Sequence, residues 1–347
     1  MVNRVTLAGV ARHAGVSLAT ASKVLNSRDG VSDETRRRVN DAIVSLGYRP
    51  TTARADEPSA GVRRINVIFS EIDTTMYGAQ VLSSLLHESR SARMEIIPRL
   101  QHGDDSDADA WARRLLGGGC QGAIIVAAYL SAEQVNACRR IDLPIVFIDC
   151  YGPSGSEDLV SVGANNFAGG FQAATHLLSL GHRRIGLIKG PDAASFARER
   201  AFGFIAAAGE AGITVPDDLV LEEQFNYEGG LHAGMALLSR SDRPTAIAAN
   251  CDACAIGIIE VAGRLGLQVP RDVSVIGFDD TRMAVWCSPH LTTINQPLTD
   301  IARVALRMMG RILDGDQPDS SHVQLATRLV VRDSTAPPPH DVPGIDG

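Results

Sequence analysis

From Ile65 onward the chain alternates short apolar runs with helical stretches, and this constrains the fold more than anything else in the sequence. INVIF (65–69), EII (95–97), GAIIV (122–126), PIVFI (144–148), RIGLI (184–188), TAIAA (245–249) and VSVIGF (273–278) read as strands. Residues 80–89, 107–116, 167–180, 197–211 and 252–265 carry helical periodicity. Near-continuous apolar strands separated by helices imply parallel sheets covered on both faces. The length from Ile65 suits two such sheets, and a binding crevice is expected at the carboxyl ends of their strands.

The first fifty residues follow a different pattern. Thr6 is a plausible N-cap, and Leu7, Val10, Ala11 and Ala14 share one helical face. Gly15 supplies a turn, since it tolerates positive φ. Ser17 caps a second helix, Leu18 to about Leu25, with Ala21, Val24 and Leu25 inward and Thr20, Ser22, Lys23 and Asn26 on other faces. A third helix follows Ser32, with Val39, Ile43 and Leu46 as its stripe and Gly47 at its end. The pattern alone leaves two readings open: a helix-turn-helix whose second helix enters the major groove, or a small bundle with a solvated face.

Charge distinguishes the same two regions. Residues 1–64 carry 11 Lys and Arg against 6 Asp and Glu, and the rest carries 22 against 34. A basic head on an acidic body points to a polyanion met by the head alone.

The stretch from Val5 to Pro50, VTLAGVARHAGVSLATASKVLNSRDGVSDETRRRVNDAIVSLGYRP, resembles the DNA-binding head of the LacI/GalR repressor family. Gly9 and Ala21 stand where the family usually has Asp and Val. The resemblance implies that Leu18, Ala19 and Lys23 read bases. It makes Thr6, Ser17, Thr20, Ser22, Asn26, Ser32 and Thr35 phosphate or scaffold contacts. Residues 51–64 form a joint, TTARADEPSAGVRR, with Pro58, Ser59 and Gly61 marking a linker. In the family this segment forms a hinge helix that wedges a leucine into the minor groove. Here Thr52, Ala53, Arg54 and Ala55 occupy it without the leucine, so a hinge helix and a plain linker both stay open.

The body also resembles the family, through LLSLGHRRIGLIKGP (177–191), ARERAFGF (197–204), VPRDVSVIGFDDT (269–281) and LTTINQP (291–297). The resemblance implies a periplasmic-binding-protein-like body over residues 65–334, with two doubly wound parallel-sheet lobes. The N-lobe is expected over about 62–160 plus 292–322, and the C-lobe over about 161–291 plus 323–334. Arg200 and Asp279 fall at family effector-binding positions: the first clamps hydroxyls or a carboxylate, and the second accepts hydroxyl hydrogens. Asn165, Phe225, Asp252 and Gln296 fall at further effector positions, with Asp73, Met76 and Tyr77 as the N-lobe counterpart. Asn165 stands where an acid is common, and Cys251 where Asn is common. The ligand implied is a sugar or sugar derivative.

The tail from 335, TAPPPHDVPGIDG, is Pro- and Gly-rich without heptads, and is expected to be disordered. No cofactor or metal is expected. Gly117, Gly119 and Gly122 spell G-x-G-x-x-G, but in the order helix, glycines, strand, the reverse of the dinucleotide fingerprint. There is no phosphate loop and no nucleophile elbow. Cys251-Asp-Ala-Cys254 has no second pair to complete a zinc site, so its thiols read as core residues. No apolar run approaches the roughly 20 residues of a membrane span, and no signal pattern opens the chain, so a cytoplasmic protein is expected. The expectation is an effector-responsive regulator, most simply a repressor dimer on a near-palindromic operator, and not an enzyme. The rivals are a stand-alone sugar-binding protein, which the head opposes, and an enzyme on the same scaffold, which turnover of a candidate sugar would reveal.

Overall fold

The computed structural model describes residues 6–25, 31–46, 62–70, 76–101, 107–150 and 159–339. Two units separate at residue 60.

The first unit contains α1 (Leu7–His13), α2 (Leu18–Leu25) and α3 (Asp33–Ser45). Each start is capped by a hydroxyl. Thr6 Oγ1 accepts from Gly9 N at 3.2 Å, Ser17 Oγ from Thr20 N at 3.0 Å, and Ser32 Oγ from Thr35 N at 3.4 Å. Gly15 adopts φ +63° between α1 and α2, and Arg38 of α3 donates to Ala14 O at 2.5 Å, closing the turn from behind. Val10, Ala21 and Val39 are fully buried where the three helices meet. Small residues at Ala11, Ala14 and Ala42 let them approach.

The second unit is built on two six-stranded sheets. The N-lobe sheet contains β1 (Arg63–Phe69), β2 (Met94–Leu100), β3 (Cys120–Val126), β4 (Ile145–Ile148), β5 (Val160–Ala164) and β11 (His322–Leu325), in the order β11-β5-β4-β3-β1-β2. The C-lobe sheet contains β6 (Ile185–Lys189), β7 (Val220–Glu222), β8 (Ala246–Ala248), β9 (Ser274–Asp279), β10 (Thr292–Asn295) and β12 (Arg328–Val330), in the order β12-β10-β9-β8-β6-β7. The two orders are the same doubly wound pattern. All pairings are parallel except β10 with β12. Central strands such as β3, β4 and β9 are buried on both faces, which explains their unbroken apolar runs.

Helices α4 (Met76–Ser89), α5 (Ala108–Leu115), α6 (Ala132–Arg140) and α12 (Leu298–Leu313) cover the N-lobe sheet. Helices α7 (Asn166–Ser179), α8 (Ser195–Glu210), α9 (Tyr227–Leu238) and α10 (Asp252–Arg264) cover the C-lobe sheet, and the short α11 (Met283–Trp286) precedes β10. The chain passes between lobes after β5, after β10 and between β11 and β12. The expected boundaries at 160/161, 291/292 and 322/323 therefore move three to five residues later. The reason is that β5, β10 and β11 each complete the sheet they leave before the chain crosses.

The expected disorder from 335 does not hold for residues 335–339. Ser334 Oγ donates to Val275 O at 2.6 Å and accepts from Thr292 N at 2.8 Å. Ala336 N donates to Ser274 Oγ at 3.0 Å, and Ala336 O lies 2.8 Å from Nε2 of the buried His182. Burial holds both His182 and the neighbouring His176 below the usual imidazole range. Proline richness removes backbone donors but leaves carbonyls and hydroxyls able to dock.

Among the described residues no helix is long and apolar enough to cross a membrane.

Candidate effector cleft and DNA-reading surface

A cavity of about 560 Å³ opens between the two lobes at the carboxyl ends of their strands. Both sheets present strand ends in the left-handed region: Ala127 (φ 44°) after β3, Asp149 (φ 50°) after β4 and Asp279 (φ 112°) closing β9. Such conformations are uncommon for side-chain-bearing residues and cluster at binding sites, where they aim a side chain off the strand.

The N-lobe wall carries Asp149 and Tyr77. Asp149 Oδ1 accepts from Ala164 N at 3.0 Å, and the Tyr77 hydroxyl donates to Oδ2. Gly163 makes room, since a Cβ there would lie 2.5 Å from Asp149 Oδ1. Burial pushes the Asp149 carboxyl above the usual range, against the pull of those two bonds and of the Arg200 charge.

The C-lobe wall centres on Arg200, whose Nε donates to Asn166 Oδ1 at 2.8 Å and Nη1 to Asn250 O at 2.9 Å. Its guanidinium lies 3.8 Å from the Phe278 ring centroid, with Phe196 and Phe225 at 5.3 and 5.9 Å. Phe196 and Phe225 themselves pack with centroids 5.3 Å apart, tilted by 31°. Asp279 Oδ1 sits 3.7 Å from Arg200 Nη1 and accepts from Gln296 Nε2 at 2.7 Å. Burial raises its carboxyl well above the usual range; Arg200 opposes this and the Asp252 charge adds to it.

Chemically the cleft offers carboxyl acceptors from both lobes, a guanidinium whose planar face is already stacked, and apolar ring surface beside them. That combination suits a ligand with several hydroxyls on an apolar frame: hydroxyls donate to Asp149 and Asp279 and accept from the guanidinium edge.

Of the residues expected here, Met76, Tyr77, Arg200, Phe225 and Asp279 line the cavity. Three are placed elsewhere. Asn165 caps α7, its Oδ1 accepting from Ala168 N at 2.9 Å. Asp252 is fully buried behind the wall and accepts from Thr281 N (2.6 Å), Thr281 Oγ1 (2.9 Å) and Thr293 Oγ1 (2.6 Å). Burial raises its carboxyl to about 7, against those three bonds. Gln296 sits behind Asp279. Asp73 lies outside the described residues. Asp149, Phe196 and Cys150 were missed although they line the cleft. Asp149 had a readable signal, an acid directly after PIVFI, matching Asp279 after VSVIGF.

Cys251 is a buried N-cap of α10, its Sγ accepting from Cys254 N at 3.3 Å. Both thiols are free, and burial pushes Cys254 up to about 12 and Cys251 well above the usual thiol range, which suppresses thiolate chemistry.

On the first unit, Leu18, Ala19 and Lys23 are exposed on α2, with Leu18 54% exposed. Thr6, Ser17 and Ser32 serve as helix caps, and Thr20 and Thr35 bond to the latter two through their hydroxyls. Ser22 is half-buried. Asn26 and the joint residues Thr52, Ala53, Arg54 and Ala55 lie outside the described residues.

Comparison with known proteins places both parts of the chain in known families. Residues 6–51 match the family described as "Bacterial regulatory proteins, lacI family", and residues 174–335 match "Periplasmic binding protein-like domain". Catabolite control protein A of Priestia megaterium is 30% identical over 95% of this chain and 99% of its own. The structure of the transcriptional regulator CelR in complex with cellobiose aligns with a TM-score of 0.72 at 28% identity, covering 95% of this chain and all of that one. The lac repressor dimer bound to operator and an anti-inducer aligns with a TM-score of 0.70 at 25% identity, covering 96% of this chain and all of that one. The chain belongs to the LacI family and is a DNA-binding transcriptional regulator, not an enzyme.

Proposed function

We propose that this regulator is a cytoplasmic repressor, acting as a homodimer on a near-palindromic operator, whose DNA affinity is set by a sugar or sugar derivative held between the lobes. The observation that carries the ligand class is the set of Asp149, Arg200 and Asp279 around one cavity, with Phe196 and Phe225 as ring surface. Cellobiose in the CelR complex and the operator-bound lac repressor dimer support the reading by similarity. In the head, Leu18, Ala19 and Lys23 read base edges, and a lysine donates to guanine O6 and N7. Thr6, Ser17, Thr20, Ser22, Asn26, Ser32 and Thr35 position the head on phosphates, where helix N-termini favour anions. Thr52, Ala53, Arg54 and Ala55 form the joint, Asp73 joins Met76 and Tyr77 on the N-lobe wall, and Phe225 stacks on the sugar. Asn165, Asp252 and Gln296 support the site from behind.

The test is a thermal-shift screen with D-ribose, D-glucose and cellobiose. A cleft ligand at about 100 times its Kd adds about 2.7 kcal/mol of stability. Operator duplexes are selected from a random pool by the full-length protein. Arg200→Ala abolishes the change in operator affinity caused by the sugar and leaves sugar-free operator binding intact. Retained response at the same sugar concentration places the effector elsewhere. Lys23→Ala costs about 1–3 kcal/mol at one base pair and relaxes specificity there, whereas a uniform loss across sequences makes Lys23 a phosphate contact.

A further inference from the structure

Asp149, Arg200 and Asp279, three of the ionisable groups lining the cleft, are each one hydrogen bond away from a segment where the chain crosses between lobes. Asp149 accepts from the backbone of Ala164, the last residue of β5 before the first crossing. Arg200 Nε bonds to Asn166 Oδ1, just beyond that crossing. Asp279 accepts from Gln296, the residue that follows β10 at the second crossing.

Neither amide side chain reaches the ligand space, since Asn166 is 3% exposed and Gln296 2%. Both hold the cleft to the crossing backbone. Asn166 Nδ2 donates to Ala164 O at 3.0 Å while its Oδ1 takes the Arg200 bond, so one amide spans the N-lobe strand end and the C-lobe guanidinium. Gln296 donates to Asp279 through Nε2, its backbone N donates to Asp279 O at 3.3 Å, and its carbonyl accepts from Leu298 N at 2.8 Å as α12 begins. Its Oε1 is buried and has no hydrogen-bond partner among the described residues. A buried acceptor left unsatisfied is costly, so its own hydrogen bonding does not account for the orientation of this amide, whereas the demand of Asp279 does. The third crossing is tied to the first: Asn165 N donates to Leu325 O at 2.8 Å, and Thr327 Oγ1 lies 3.4 Å from Asn165 O.

We infer that Asn166 and Gln296 are positioning residues that transmit occupancy of the cleft to the crossing segments, and thereby set the angle between the lobes. This deepens the sugar-effector reading and rests on it. A bound hydroxyl that engages Arg200 or Asp279 redirects the bonds those groups make to Asn166 and Gln296. Both amides lie at chain segments whose backbone torsions govern a hinge motion. A ligand biases such an equilibrium only through contacts that differ between its two states, and these two bonds join cleft side chains to amides at the crossings, beside the bond from Ala164 N to Asp149.

The test uses the full-length protein, the selected operator and the sugar of the ribose, glucose and cellobiose panel that most raises the parent midpoint. Two variants are compared. Gln296→Met keeps side-chain length and removes the donor to Asp279. Asn166→Asp keeps the acceptor for Arg200 and removes the donor to Ala164. Circular dichroism confirms that each folds. Sugar Kd and operator Kd, with and without saturating sugar, are then measured by calorimetry and fluorescence anisotropy. An ordinary coupling in the parent is about 5- to 150-fold in operator affinity. Both variants are expected to bind the sugar within about tenfold of the parent, while that ratio collapses toward one and the sugar-free operator affinity itself shifts, because the resting lobe equilibrium has moved. A folded variant pair with altered sugar Kd but an unchanged ratio and unchanged sugar-free operator affinity overturns the inference, since a purely supporting role gives that result. If none of the three sugars moves the parent midpoint, the ligand reading fails separately, and the sugar-free operator affinity decides alone: unchanged in both variants, it overturns the inference.

Discussion

The two lobes share one strand order but assemble their helices differently. In the C-lobe, helices meet at backbone distance. A Cβ on Gly170 of α7 would lie 1.9 Å from Arg200 O of α8, and one on Gly203 of α8 would lie 2.0 Å from Phe167 O of α7. The same reciprocity holds for α9 and α10, through Gly230 against Cys254 O (2.1 Å) and Gly257 against Tyr227 O (2.3 Å). In the N-lobe, α4 and α12 meet through side chains such as Val81, Leu85, Ile301 and Ala305. At Gly122 a Cβ would meet the Sδ and Cε of Met309, at 2.5 and 3.1 Å, the end of a side chain that can swing away, and Pro144 Cγ at an ordinary 3.4 Å. The C-lobe thus fixes Arg200 with little play by steric interlock, whereas the N-lobe packs through side chains that can adjust.

The sharpest way to break this contrast is an added methyl. Gly170→Ala costs about 3–5 kcal/mol in urea unfolding because backbone must move, whereas Gly122→Ala costs about 1 kcal/mol. Equal costs at both sites end the distinction between interlock and adjustable packing. The next largest effect is pH dependence in the C-lobe. Burial raises the Asp252 carboxyl to about 7, far above the ordinary aspartate value near 3.8. A raised carboxyl contributes stability that is fully present below its unfolded value and is lost as pH rises through its folded value. Asp252→Asn removes that loss. Relative to its parent the variant gains about 3 kcal/mol between pH 4 and pH 7, read from unfolding midpoints at each pH. A constant difference over that window shows that Asp252 is ionised throughout. On the N-lobe side, Gly163→Ala pushes on the Asp149 carboxyl, costs about 1–2 kcal/mol and weakens sugar binding; retained sugar affinity would remove Asp149 from the recognition set. The smallest effect is at the cap of α10. Cys251→Ser replaces a weak sulfur acceptor by a good one and adds about 0.5 kcal/mol, measured as a rise in midpoint.

These differences also mark what the sequence could disclose. The head was legible because its caps and its glycine turn are local: Thr6, Ser17 and Gly15 act within a few residues of themselves. Strands β3, β4 and β9 were legible because burial on both faces forces a continuous apolar run. The edge strands β7, β11 and β12 lack that signature, being short and only partly buried. Helix α9, YEGGLHAGMALL, was obscured by glycines whose use is tertiary, and nothing local reveals the backbone of Cys254 against Gly230. In the cleft, Asp279 at a strand end and the aromatic Phe225 line the cavity, whereas Asn165, also at a strand end, caps α7 instead. Asp252 and Gln296 were assigned to ligand contact but lie behind the wall, because one residue's depth in a sheet end is decided by neighbours such as Thr281 and Asp279.

The threefold passage of the chain between lobes has a consequence for synthesis. The N-lobe is finished only by α12 and β11, and the C-lobe only by β10, β12 and the docked residues up to Ala336. No shorter nascent segment can close either sheet and its covering helices. While a ribosome adds roughly 5–20 residues per second, the growing polypeptide therefore carries incomplete sheets for on the order of tens of seconds. Throughout that interval the unfinished body exposes apolar surface and unpaired strand edges, the features that make partly folded chains prone to aggregate.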